Sequence, residues 1–155
     1  MNLNWRAATA DDEDFLWRVY ASSRAEEISL WGLPPQQAEM LLRMQYRART
    51  ASYAAGFPDS DHGILLNGEI PVGAAIVARS SDSIRLVDVA LFGEFRGSGI
   101  GGAFVAQLMQ EARERGVPLR LSVLRSNRAR NLYARLGFAE TAADQMYIEM
   151  EYRNA

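Results

Sequence analysis

The stretch Arg96-Gly97-Ser98-Gly99-Ile100-Gly101-Gly102 puts four glycines between an apolar, strand-like run and an amphipathic helix. Upstream, residues 84–92 are mostly Val, Leu and Ile; downstream, Ala103, Val105, Ala106, Leu108, Met109 and Ala112 recur at helical spacing until Gly116 and Pro118 end the pattern. The order is strand, glycine loop, helix. In that setting the free N–H groups of the first helical turn, together with the positive end of its dipole, can hold a pyrophosphate. A glycine run alone serves equally well as a flexible turn, so its neighbours have to decide. The triphosphate version of such a loop needs Lys followed by Ser or Thr, and this chain contains no lysine. The dinucleotide version belongs in the first strand-to-helix turn of a parallel sheet, whereas this loop comes late, after strands that read as antiparallel hairpins.

Working outward, residues 3–8 read as a short strand, and Thr9 with Asp12 three positions later resembles a capping box that opens a helix running to about Arg24. A looser segment, 26–33, precedes Pro34 and Pro35. There a second helix begins, with Ala38, Leu41, Leu42, Gln45 and Tyr46 on one face, and continues towards Ala54. Residues 64–66 and 72–78 flank Asn67-Gly68, a favoured hairpin turn. A third strand, 84–92, completes a meander. After the helix 102–115, residues 118–124 read as a strand that the helical crossover makes parallel to the preceding one. A helix over 127–136, stopped by Gly137, and a closing strand over 145–152 finish the chain. The sum is an α/β fold with a mixed, mostly antiparallel central sheet, helices on both faces and one parallel pair.

At 155 residues, with 48% hydrophobic and 23% charged residues, the chain reads as a single domain, 1–155. A net charge of −2 gives no reason to expect nucleic acid or an anionic membrane surface as partner, although all 17 basic residues are arginines and several gather between Arg113 and Arg135. Zero cysteines removes disulfides, thiolate metal sites and cysteine nucleophiles. The one histidine, His62, has no nucleophile-elbow pattern nearby. No metal is expected. No run approaches the roughly 20 apolar residues of a membrane span, and the first residues lack a signal-peptide plan, so a cytoplasmic location is the default expectation.

Two segments carry a family resemblance. The run LVDVALFGEFRGSGIG, residues 86–101, resembles the acyl-CoA segment of the GCN5-related N-acetyltransferase (GNAT) superfamily: a strand, then Gln or Arg, two residues, Gly, one residue, and Gly or Ala. Arg96, Gly99 and Gly101 occupy the marked positions. The run SNRARNLYARLGF, residues 126–138, is similar to the second signature, an Asn, a helix, a Tyr and a terminal Leu-Gly-Phe. The order of elements agrees over the whole length.

The resemblance implies an acetyltransferase that moves an acetyl group from acetyl-CoA, its co-substrate, to an amine acceptor by direct attack in a ternary complex. The rival expectation is a non-catalytic acyl-CoA sensor or interaction module of the same fold. By resemblance, the N–H groups of Gly97, Ser98, Gly99, Ile100, Gly101 and Gly102 hold the pyrophosphate, and the backbone of Val89, Ala90 and Leu91 pairs with the pantetheine arm like an added strand. Tyr133 is the implied acid for the departing thiolate, against a Tyr merely packed in the core. Asn127 is the implied partner of the CoA arm, six positions before Tyr133 where many relatives place theirs seven before, at Ser126 here. Asp88 is the candidate base; by strict alternation it shares a strand face with Leu86 and Ala90, and a hydrogen bond to a neighbouring loop is the competing explanation. The acceptor pocket is implied around the first two helices, where Arg24, Glu26, Glu27 and Trp31 lie. A homodimer through the late strands is implied by resemblance only.

Overall fold

The computed structural model describes residues 1–153. Seven strands form one sheet in the order β1-β2-β3-β4-β5-β7-β6, with β1 Leu3–Ala7, β2 Asp61–Asn67, β3 Ile70–Arg79, β4 Ile84–Leu91, β5 Leu119–Leu124, β6 Ala139–Ala143 and β7 Tyr147–Tyr152. Strands β2, β3 and β4 form the expected three-strand antiparallel meander, and β1 adds to its edge by pairing antiparallel with residues 63–67 of β2. The helices are α1 Glu13–Ser23, α2 Ala25–Ser29, α3 Pro35–Gly56, α4 Ile100–Arg115 and α5 Ala129–Leu136. The Thr9–Asp12 capping box forms as expected.

Helix α4 is the crossover that makes β5 parallel to β4. It begins at Ile100 rather than Gly102, so Gly101 and Gly102 belong to its first turn, with Gly99 as N-cap in the left-handed region at φ 86°. Each glycine inside a helix costs about 0.5–1 kcal/mol relative to alanine. The five large side chains that α4 buries, Ile100, Phe104, Val105, Leu108 and Met109, contribute roughly 1.5–3 kcal/mol apiece, so the helix forms despite the glycines. They pack with α5 residue Tyr133 and with Ile84, Leu86, Leu119, Leu121, Val123, Ile148 and Met150 of the sheet. Helices α1 and α3 cover the opposite face, burying Val19, Tyr20, Ala38 and Leu42.

Strand β4 carries the feature that shapes everything beside it. Ile76 of β3 faces Asp88 while the next residue, Val77, faces Leu86, so Val87 is an extra residue without a partner. This is a β-bulge, which bends the strand and swaps its faces. Ile84 and Leu86 point into the α4 core; beyond the bulge Val89 and Leu91 take over that face, and Asp88 with Ala90 turns towards α1 and α3. The expectation that Leu86 and Asp88 share a face is corrected by that one residue. The pairing of β4 with β5 covers only Ile84–Leu86 against Leu119–Leu121. Past that point the strands part, and β5 continues alone against β7.

Two elements go beyond the sequence expectation. Segment 26–33 contains most of the short helix α2, and residues 139–143 form β6, an edge strand exposed at every position.

Gly73 on β3 is the tightest point against the far end of β4: a Cβ there would overlap the Ala90 carbonyl oxygen and the Leu91 side chain. Gly73→Ala is therefore expected to lower stability by about 1–3 kcal/mol, the usual range for overpacking, read as a reduced midpoint in urea unfolding. An unchanged midpoint would mean that the strands can separate at this point without cost.

Candidate active site

The parting of β4 from β5 opens a cleft of about 1050 Å³. Its walls bring together Asp88, Val89, Ala90 and Leu91 from β4, Arg96 and Gly101 from the glycine segment, Asn127 before α5, and Tyr133 on α5. Backbone groups of residues 88–91 that face β5 have no strand partner there. An extended, amide-bearing ligand can pair with them as an added strand.

The glycine segment divides at Gly99. Gly97 lies at φ 74° and Gly99 at φ 86°, conformations that only glycine adopts cheaply. Ser98 donates its hydroxyl to the Phe95 carbonyl, and Gly97, Ser98 and Gly99 are exposed. The first helical bond of α4 runs from Ala103 N–H to the Gly99 carbonyl at 3.0 Å. The N–H groups of Ile100, Gly101 and Gly102 precede it and are left open at the helix N-terminus, where an anion is favoured. The Ile100 side chain is buried in the core, and the space over Gly102 is bounded by Leu132, 3.7 Å from where a Cβ would sit. Arg96 reaches across to donate to the Ser22 carbonyl at the end of α1, 2.9 Å away. That bond anchors the segment to the first helix.

Asn127 caps α5: its Oδ1 accepts the Ala129 N–H at 2.9 Å. Its amide nitrogen is left over for the cleft. Tyr133 is only 8% exposed, packs 5.6 Å from the Phe138 ring, and its hydroxyl has no partner among the described residues. Burial, reinforced by the Asp88 carboxylate, pushes its phenol above the ordinary value of 10.0.

Asp88 is paired with Arg49 of α3, a residue that the sequence reading did not single out. The Arg49 guanidinium lies 4.9 Å from the Tyr53 ring centroid, 5.3 Å from that of Tyr20 and 5.8 Å from that of Tyr46. Three aromatic faces hold one cation. Burial first, then Asp88, raises the Tyr53 phenol, with Arg49 opposing. A faint signal for this face exists in the sequence: Gln45, Arg49 and Tyr53 recur every four residues along α3, and Gln45 falls on the face read as apolar. Of the acceptor-side expectations, Arg24 and Glu27 line the cleft, while Glu26 and Trp31 do not. Glu27 accepts from Arg24 Nε and Nη2, at 2.7 and 2.9 Å, and Arg24 Nη1 donates to the Tyr20 hydroxyl at 2.8 Å. A second cavity of about 520 Å³ lies between α1, α3 and the sheet, and Tyr20, Arg49, Tyr53, Asp88 and Ala90 line both.

Known proteins share this fold. The chain is 28% identical over 117 residues to a [ribosomal protein bS18]-alanine N-acetyltransferase of Haemophilus influenzae, covering 70% of this chain and 80% of that one. Its fold is similar to the PaiA N-acetyltransferase of Thermoplasma acidophilum, solved in complex with coenzyme A (TM-score 0.71, 17% identity, 99% of this chain and 100% of that one). It is also similar to the ribosomal-protein-S18-alanine N-acetyltransferase of Escherichia coli (TM-score 0.66, 19% identity, 97% and 93%). Residues 14–138 match the family described as the acetyltransferase (GNAT) family. With that match spanning the parted strands, the glycine segment and Tyr133, the chain belongs to the acetyltransferase (GNAT) family of enzymes.

Proposed function

We propose that this acetyltransferase transfers an acetyl group from acetyl-CoA to a primary amine of a small molecule, peptide or protein, by direct attack with donor and acceptor bound together. The observation that carries the proposal is the parted end of β4 and β5, with Asp88 and Tyr133 lining the one cleft that results. The names of the two alanine N-acetyltransferases support a protein chain among the acceptors.

On the donor side, the open N–H groups of Ile100, Gly101 and Gly102 take the diphosphate. The unpaired backbone of Val89, Ala90 and Leu91 aligns the extended arm, and the Asn127 amide nitrogen serves its polar groups. The thioester supplies an activated acetyl group. On the acceptor side, two carboxylates line the cleft. Glu27 is taken up by Arg24, whereas Asp88 gives one oxygen to Arg49 and keeps Oδ1 open, so Asp88 receives the amine. The amine nitrogen bonds to the acetyl carbon as the carbon–sulfur bond breaks. The amine proton leaves towards Asp88 and solvent, the sulfur takes the proton of Tyr133, and the phenolate regains a proton from solvent, so that the net change is one proton moved from nitrogen to sulfur. A phenol raised by burial and by a nearby carboxylate stays protonated at neutral pH, which suits a donor.

Tyr133→Phe is expected to reduce kcat by roughly 10²–10⁴-fold while acetyl-CoA binding by calorimetry stays nearly intact. Equal single-turnover rates in the two proteins would remove the acid role. Because the phenol lies above 10.0, the acid form persists as pH rises, and loss of the acid should appear only beyond pH 10. The kcat–pH profile is expected to show no descending limb below that value; a limb centred near pH 8 would assign the proton to another group. Release of free CoA thiol with a panel of amines tests the reaction itself, and acetyl-CoA binding without thiol release for any amine would support a sensor instead.

A further inference from the structure

We propose that Arg49, with Gln45 one turn earlier on α3, is a specificity-determining residue that selects acceptors carrying a secondary or primary amide next to the amine, as the N-terminus of a peptide does. The proposal rests on the amine-acetylation reading above and names its acceptor class. Arg49 spends one nitrogen, Nη2, on Asp88 Oδ2. Asp88 Oδ1 makes no other hydrogen bond among the described residues, the Tyr53 hydroxyl takes up part of the Arg49 guanidinium, and the remaining Arg49 donors are not sealed from solvent: the buried side-chain polar atom without a partner is Gln45 Oε1. The Asp88–Arg49 pair therefore offers the cleft an acceptor and a donor side by side. An α-amino amide offers the complement, an ammonium beside a carbonyl oxygen.

The tyrosine faces make this a fixed arrangement. Tyr20, Tyr46 and Tyr53 surround the guanidinium, so its free N–H groups are held in place before the ligand arrives. They also mean that the cation-binding space is already filled. A simple alkylamine would bring a positive charge to Arg49 with nothing for its donors to bind, and a site built around a hydrogen-bonding group discriminates strongly against ligands that lack it. Gln45 lies at the i−4 position to Arg49 and lines the same cleft. Its Oε1 is buried without a donor, so the side chain has to turn towards the cleft before the N–H of the acceptor's amide can satisfy it.

The test is calorimetric binding of three small amines to the full chain in the presence of CoA, at pH 6.5, where α-amino groups with pKa of about 7.7–8.0 are mostly ammonium. The amines are alaninamide, its N,N-dimethylamide, and 2-aminobutane, which replaces the carboxamide with an ethyl group. Wild type is expected to bind alaninamide at least tenfold more tightly than 2-aminobutane, with the dimethylamide between them. In Arg49→Met the ratio should collapse to within about twofold, and in Arg49→Lys, which keeps the charge and a donor, part of it should return; circular dichroism melting reports whether each variant is folded. Equal affinities in wild type, or a preference that survives in Arg49→Met, would overturn the proposal, and so would equal weakening of all three amines, which marks a structural role. The wild-type comparison decides the matter if Arg49→Met does not fold. Preferential binding of alaninamide without acetyl transfer would leave Arg49 in its role and overturn only the reaction, whereas transfer to all three amines at equal kcat/KM would do the reverse.

Discussion

The site depends on one residue more than the β3–β4 ladder can pair. Val87 is the surplus residue, and its bulge exchanges the two faces of β4, so that a strand which begins by feeding Ile84 and Leu86 into the α4 core ends by presenting Asp88 and Ala90 to α1 and α3. The same bend takes β4 away from β5 after three paired positions. Unpaired backbone groups are expensive when buried and useful when a ligand can reach them. Here they line a cleft, and the glycine segment delivers the N-terminus of α4 to the same opening. Strand end, helix start and the two ionisable side chains, Asp88 and Tyr133, meet because of one local irregularity in β4.

Charge in the cleft is arranged so that one carboxylate is closed and one is open. Glu27 meets Arg24 through both oxygens, in a surface setting where such pairs contribute little, typically about 0–1 kcal/mol. Asp88 and Arg49 are each about a quarter exposed and are bounded by tyrosine rings, so water screens them less. Both residues line the cleft, and their mutual bond uses Arg49 Nη2 and Asp88 Oδ2. In the proposed reading this asymmetry gives the acceptor side a direction, with the amine drawn to the carboxylate and its neighbouring group to the guanidinium.

The parts of this arrangement that are local in sequence are legible there. Asn67-Gly68 marks the β2–β3 hairpin, the glycines of 97–102 mark the strand-to-helix turn, and the crossover rule makes β5 parallel to β4. Tyr133 and Asn127 fall at the cleft because a helix signature fixes their spacing. What is not legible depends on partners distant in the chain. A bulge is a mismatch between two strands, and nothing in LVDVAL shows that Val87 lacks a partner, so strict alternation puts Asp88 on the wrong face. Arg49 looks like any of the arginines on a solvated helix until the fold sets it against Asp88, 39 residues later. Strand β6 has the sequence Ala-Glu-Thr-Ala-Ala and is exposed throughout, so it carries no hydrophobic alternation to read; its pairing with β7 defines it.

The proposed donor surface is the open backbone of β4 together with the first turn of α4. Hydrogen–deuterium exchange of individual amides with and without CoA tests it most directly. Protection of amides within 88–91 and 100–102 on adding CoA, with the β1–β2 ladder unchanged, is the expected result. Binding of CoA that leaves both segments exchanging at their free rate would contradict it.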